Sequence, residues 1–229
     1  MIGYRVPPPV ARRLPRALPL GALALAVALL PGGLSAAELV QRDLILSVGE
    51  QPTAFTYTLS DPTSSRQGSD SFSQNVGVEV GGRYSLAGAG DASSLVLGGA
   101  LVANQAGYGS SGHYTGYGLR LDGGYGWAIS DAWSVGGRLE LGLGLATFDL
   151  QAGDAFPAVS TSGSTISYGV AVDVDYALSD TFTALLEVGY LRTDAKLSGG
   201  GVDLNIDTTG FSFALGIAYR FSVAPRPVD

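Results

Sequence analysis

From Trp133 to Phe148 the chain sets Trp133, Val135, Leu139, Leu141, Leu143 and Leu145 against Ser134, Gly136, Arg138, Glu140, Gly142 and Gly144. Leucines two apart over such a length do not fit a helical period and predict a β-strand with one oily and one polar face. The same alternation runs through Phe72–Tyr84, Tyr114–Trp127, Ser164–Leu178, Phe182–Tyr190 and Phe211–Phe221. In the last of these, Phe211, Phe213, Leu215, Ile217, Tyr219 and Phe221 oppose Ser212, Ala214, Gly216, Ala218 and Arg220. Ser94–Asn104 is a seventh strand with apolar residues on both sides, Leu95, Leu97 and Leu101 against Val96 and Val102, so its facing stays open. Leu185 is the one apolar residue on the polar side of Phe182–Tyr190.

An oily outer face and a polar, glycine-rich inner face suit hydrocarbon outside and a narrow lumen inside. In lipid, strands must close into a barrel, since open edges would leave backbone groups unpaired. Bacterial single-chain barrels use even strand numbers from about eight upward, so an eighth strand is expected upstream. Thr53–Ser60 fits, with Phe55, Tyr57 and Leu59 alternating with Ala54, Thr56 and Thr58; Leu44–Val48, before Pro52, either extends it or forms a separate lead-in. The expected fold is an all-β, eight-stranded, antiparallel up-and-down transmembrane β-barrel preceded by a cleaved signal peptide. Its divisions are a signal peptide (1–37), a periplasmic lead-in or strand extension (38–52), the barrel (53–221) and a short periplasmic tail (222–229).

Connector lengths favour the same count. Short periplasmic turns are expected at Leu86–Ser93, Ala128–Ala132 and Ser179–Thr181, and external loops at Asp61–Ser71, Gln105–His113, Asp149–Gly163 and Ala195–Thr208. Prolines beyond residue 37 fall at 52, 62, 157, 225 and 227, outside strands two to eight, where no ladder N–H is lost. Aromatics fall in bands. Tyr84, Tyr125, Trp127, Trp133, Tyr176, Phe182, Tyr219 and Phe221 form an expected periplasmic girdle, and Phe55, Tyr57, Phe72, Tyr117, Tyr168, Tyr190 and Phe211 a sparser upper ring.

The start of the chain changes the compartment. Arg5, Arg12, Arg13 and Arg16 precede an apolar run from Leu18 to Leu30 and then Ser35-Ala36-Ala37, the three parts of a secretory signal with cleavage expected after Ala37 or Ala36. Its removal takes four arginines and no acid, so 13 Lys+Arg against 20 Asp+Glu become 9 against 20 and the formal charge moves from −7 to −11. An acidic mature chain argues against nucleic acid as a partner. There is no cysteine, so no disulfide constrains the fold.

The inward positions carry the chemistry: Glu79, Arg83, Arg120, Asp122, Arg138, Glu140, Asp173, Asp175, Glu187 and Arg220. An eight-stranded interior is just wide enough to be filled by side chains, so these groups must pair or hold water. The opposite register would set Arg138 into lipid at about 2–4 kcal/mol. Two readings follow, a structural ion-pair network and a narrow polar path. His113, the lone histidine, sits near Ser110 and Ser111, which raises a lipid-hydrolase reading, but a Gly/Ser-rich loop does not hold a base against a nucleophile. No catalytic residue, cofactor or transition-metal site is expected; Asp194, Asp203 and Asp207 fit no EF-hand spacing.

Gly216-Ile217-Ala218-Tyr219-Arg220-Phe221 resembles the closing strand of the outer membrane protein A-like transmembrane barrel superfamily, and its Tyr-x-Phe ending resembles the signal read by the outer-membrane insertion machinery. The chain departs from the pattern in carrying Ser222–Asp229 after that Phe, and cell-wall anchoring is not implied. The resemblance implies an integral protein of the Gram-negative outer membrane, exported through the periplasm. The expected role is non-enzymatic, in envelope integrity or surface interaction through the external loops. A narrow pore for small solutes or ions is the alternative, and a lipid-modifying enzyme the third reading. The expected partners are outer-membrane lipid and lipopolysaccharide, the insertion machinery and an external partner at the loops, with the barrel itself monomeric. A soluble calycin-like barrel is the architectural alternative, and it would leave a glycine-lined wall outside.

Overall fold

Long antiparallel pairing follows from the unbroken period of two, because every residue on one face meets like neighbours on both sides. The structure, a computed structural model, describes residues 39–87, 93–109, 112–151 and 158–221. The expected signal segment and tail lie outside the described residues, as do residues 88–92 of the first turn, Ser110 and Ser111, and residues 152–157 of the third loop. The strands are β1 (Leu39–Glu50), β2 (Ala54–Ser60), β3 (Ser65–Ser71), β4 (Gln74–Ala87), β5 (Ser93–Tyr108), β6 (Gly112–Ala128), β7 (Trp133–Leu150), β8 (Val159–Ala177), β9 (Phe182–Gly199) and β10 (Val202–Phe221).

Eight of them form a ring in the order β1-β4-β5-β6-β7-β8-β9-β10, closed by β10 on β1. All neighbours run antiparallel. The facing follows the alternation. Leu139, Leu141, Leu143 and Leu145 are at least half exposed on the outside, whereas Arg138 and Glu140 between them are buried. For β5, even positions such as Val96, Ala100 and Ala106 face inward. Leu185 also faces inward, where its cross-strand neighbour Gly216 leaves it room.

The first barrel strand is a correction. It is β1, not Thr53–Ser60: Arg42–Glu50 pair with Phe221–Phe213, and Leu39–Glu50 with Leu86–Val76. Leu44, Leu46 and Val48 face outward, while Asp43, Ser47 and Gly49 share the inner side. Gly49 is required there, since a Cβ would lie 2.7 Å from the Cβ of Ala214 across the seam. The Thr53–Ser60 segment is a strand, β2, but it pairs through Phe55–Ser60 with Thr208–Asp203, on the half of β10 that β1 does not reach. β3 then folds back on β2 as a hairpin. Asp61 ties the turn between them, accepting from the Thr63 and Ser64 hydroxyls (2.7 and 2.8 Å) and from their backbone N–H groups (2.7 and 2.8 Å). These bonds, the Thr63 hydroxyl first, hold its carboxyl well below the usual carboxylate range.

The expected external loops are corrected too, for most of the described residues of each are strand. Tyr108 pairs with Gly112, Leu150 with Val159, and Gly199 with Val202. The last hairpin turns on Gly200 and Gly201, both at positive φ (61° and 81°), as a two-residue turn matched to strand twist demands. About 9–11 tilted residues cross a bilayer, whereas β8 has 19 residues and β10 has 20. Roughly half of each strand therefore stands as an extension at the far end, opposite the end where β1 begins and β10 finishes. At the terminal end the connections are short, with Ile129 N–H donating to the Trp133 carbonyl (2.8 Å) and Leu178 N–H to the Phe182 carbonyl (2.9 Å).

Candidate functional site within the barrel

Near the middle of the ring the inward charges meet. Arg138 on β7 donates through Nε to Asp173 on β8 (2.8 Å), through Nη1 to Asp122 on β6 (3.2 Å) and through Nη2 to Glu187 on β9. Each nitrogen of the guanidinium serves a different strand, an arrangement only its planar fork allows. Arg120 on β6 grips Glu79 on β4 with both Nη atoms (2.8 and 2.6 Å) and lies 3.4 Å from Glu140 and 3.5 Å from Glu187. Arg83 on β4 reaches Asp175 on β8 at 2.8 Å and Asp173 at 3.6 Å. In the ring β4 and β8 stand four strands apart, so this ion pair spans the lumen from wall to wall.

Glycines make the space for these groups. A Cβ at Gly136 would lie 2.6 Å from Oδ2 of Asp173, so the carboxylate occupies the volume that any larger side chain would need. Nine of the ten expected interior residues thus join one network. Arg220 stands apart from it near the terminal end, 3.4 Å from the Thr183 hydroxyl and 3.8 Å from Asp43. Asp43 was not among the expected residues. Its signal was the alternation of Asp43, Ser47 and Gly49 with Leu44, Leu46 and Val48, hidden by Ile45 on the inner side.

Above the network is a polar chamber with about 680 Å³ of empty space counted to its open mouth, whose lining includes Glu79, Glu140, Glu187, Asn104, Ser167 and Tyr114. Higher still, the inner face turns apolar. Rings run in sequence from Tyr114 to Phe72 (5.5 Å between centroids), Phe55 (4.5 Å), Tyr108 (5.8 Å) and Phe148 (5.8 Å). Leu197, Leu204 and Ile206 complete this buried cluster. The expected upper ring is corrected accordingly: Tyr117, Tyr168, Tyr190 and Phe211 are exposed outward, but Phe55 and Phe72 are buried in the extension and Tyr57 packs against them. The irregular link between β3 and β4 turns Phe72 inward, and the hairpin carries Phe55 and Tyr57 onto the inner face.

Of the expected girdle, Tyr125, Trp127, Trp133, Tyr176, Phe182, Tyr219 and Phe221 are exposed on the outside near the terminal end. Trp133 packs on Tyr176 (4.6 Å) and Phe182 on Tyr219 (5.5 Å). Tyr84 is half-buried beneath Arg42, whose guanidinium lies 5.4 Å from the ring centroid.

His113 lies in β6, not in a loop, and is exposed. Its cross-strand partner is Asp149, whose carboxylate accepts a hydrogen bond from the Ser160 hydroxyl (2.6 Å). The acid stands between serine and histidine in the register, whereas a serine is activated by a histidine that stands between it and the acid. Among the described residues no group of three His, Cys, Asp or Glu side chains is placed to hold a metal ion.

On the extension, Tyr108 donates to Asp70 at 2.7 Å. That bond first, and burial second, push the phenol up to about 12. The contribution of this bond is complete below the ordinary tyrosine value near 10 and is lost as the pH rises towards 12. Ultraviolet titration of tyrosinate is expected to lose one phenol from its late phase in Tyr108→Phe, with the buried phenol of Tyr114 still ionising late; an unchanged late phase in that variant would contradict the assignment.

A family model described as "Outer membrane protein beta-barrel domain" matches residues 73–223. The comparison with curated proteins finds no match. Among solved structures the chain is similar to Ail, the attachment invasion locus protein of Yersinia pestis, with 14% identity and a TM-score of 0.38 over 80% of this chain and 100% of that one. It is similar to the outer membrane protein OprG of Pseudomonas aeruginosa, with 15% identity and a TM-score of 0.47 over 81% and 98%. It is also similar to the outer membrane protease OmpT of Escherichia coli, with 9% identity and a TM-score of 0.47 over 80% and 98%.

Proposed function

Because the chain belongs to the outer membrane protein β-barrel domain family, and so resides in the outer membrane of a Gram-negative bacterium, we propose that it is a non-enzymatic barrel with a closed lumen. In this reading it serves envelope integrity and surface interaction through the extension at its far end. Such barrels keep their periplasmic side short and carry their longer excursions outside; the strands run on beyond the span at the far end, so in this reading the extension stands on the cell surface. The observation that carries the reading is the Arg83–Asp175 pair between opposite strands, backed by Arg138 among three acids. A passage bridged by buried ion pairs and roofed by aromatic rings gives solutes no route, which leaves the surface as the working part. The apolar outer face takes outer-membrane lipid and the acyl chains of lipopolysaccharide. Tyr219-x-Phe221 on β10 offers the insertion machinery its signal, and the barrel acts as a monomer.

The test is deoxycholate survival of cells lacking the protein, complemented either by the wild type or by a form in which a tight turn replaces residues 56–69 of the β2–β3 hairpin. The wild type is expected to restore survival and the trimmed form, inserted to the same level, to fail. Full rescue by the trimmed form would show that the β2–β3 hairpin of the extension is not the working part.

A further inference from the structure

The inner face of the extension holds a cleft lined by Phe55, Tyr57, Leu59, Tyr108, Phe148, Leu150, Val159, Leu204 and Ile206, with no charged residue among them. It has about 530 Å³ of empty space counted to its open mouth. Phe55, Tyr57 and Leu59 are successive inward positions of β2, opposite Thr208, Ile206 and Leu204 of β10, so the wall runs roughly 13 Å at the rise of an extended strand. The aromatic sequence Tyr114–Phe72–Phe55 separates the cleft from the polar chamber beneath. At the hairpin end, Arg66 stands directly across from Leu59 in the β2–β3 register and is exposed. At the other end of the hairpin, Asp70 is already taken by the Tyr108 hydroxyl.

We propose that this cleft is a binding site for one hydrocarbon chain bearing an anionic end, that is, a single-chain amphiphile such as a medium-length fatty acid. The chemistry is read from the lining. An aromatic-rich wall outside the membrane, apolar but for the hydroxyls of Tyr57 and Tyr108, gains by exchanging water for hydrocarbon, and the Tyr108 hydroxyl is already bonded to Asp70. The wall along β2 and β10 is long enough for most of an extended medium-length chain. Of the groups near its mouth, Arg66 is the cation that no ion pair among the described residues engages, which suits a carboxylate held at the rim. The site does not depend on whether the lumen conducts.

The experiment is photolabelling of the refolded mature protein, in phospholipid nanodiscs, with dodecanoic acid carrying a diazirine at its far end, followed by mass-spectrometric mapping. Label is expected on the 54–60 and 202–208 segments, displaced by excess unlabelled dodecanoic acid. It is expected to fall several-fold in Leu59→Asp and to weaken in Arg66→Gln. A heat-dependent gel shift establishes that each variant is folded, and if Leu59→Asp is not, displacement on the wild type decides. Label confined to membrane-facing segments such as 139–145, or label on the cleft that excess dodecanoic acid does not displace, would overturn the proposal.

Discussion

Arg138→Leu is expected to lower the unfolding free energy by about 3–5 kcal/mol, the usual cost of removing one partner from a buried ion pair. The side chain is 3% exposed, and its loss leaves Asp122, Asp173 and Glu187 facing one another without the guanidinium that joins them. Arg138→Lys should fall in between, because one ammonium keeps the charge but cannot serve three strands at once. Arg192→Leu is the control. Its side chain is 44% exposed, pairs with Asp194 and Asp207 on the outer face and lies 6.0 Å from the Tyr168 ring centroid, so a loss of about 0–1 kcal/mol is expected. Urea titration of the refolded protein in lipid vesicles measures all three. Equal losses for Arg138 and Arg192 would mean that the interior network is solvated and does not hold the barrel.

The second large effect belongs to the outer face. Leu139 is 69% exposed there, midway along β7 between Trp133 and Leu145. Leu139→Arg should cost about 2–4 kcal/mol in lipid, whereas Trp133→Arg, beside the headgroups, should lose only about 0–1 kcal/mol from the charge itself. Burial in a soluble core would give no such dependence on height, so a flat profile along β7 would contradict the membrane facing.

These two residues also show where the sequence was readable. Leu139 and Arg138 are neighbours, and the cost of turning an arginine into lipid settles which faces out. The same logic named all nine residues that meet in the central network, with Arg220 as a tenth that stands apart, and the outward aromatics near the terminal end. It failed at β1 because Ile45 breaks the inner row, so Leu44-Ile45-Leu46 reads as a continuous apolar run with no preferred face. It failed at the connections because composition and pattern disagree there. Lys196, Ser198, Asp203, Asn205 and Asp207 look like a loop, yet they alternate with Ala195, Leu197, Leu204 and Ile206 around a two-glycine turn. The place of Phe55 and Tyr57 was not readable locally at all. Their strand was recognisable, but its partner is the upper half of β10, and pairing between distant segments leaves no mark in either one's own period.

The extension therefore emerged only from the register, and it gives the barrel its second closure. Conservative changes in the aromatic sequence Tyr114–Phe72–Phe55–Tyr108–Phe148 are expected to loosen the roof without touching the ion pairs below, since the polar chamber separates the two levels.

Single-channel recording of the refolded mature protein in a planar bilayer tests the closed lumen most directly, with insertion established by the gel shift between boiled and unboiled samples. The account predicts an inserted but electrically silent barrel. Discrete conductance steps in the wild type that change when Arg138 or Glu140 is neutralised would contradict it and make the interior charges the lining of a pore.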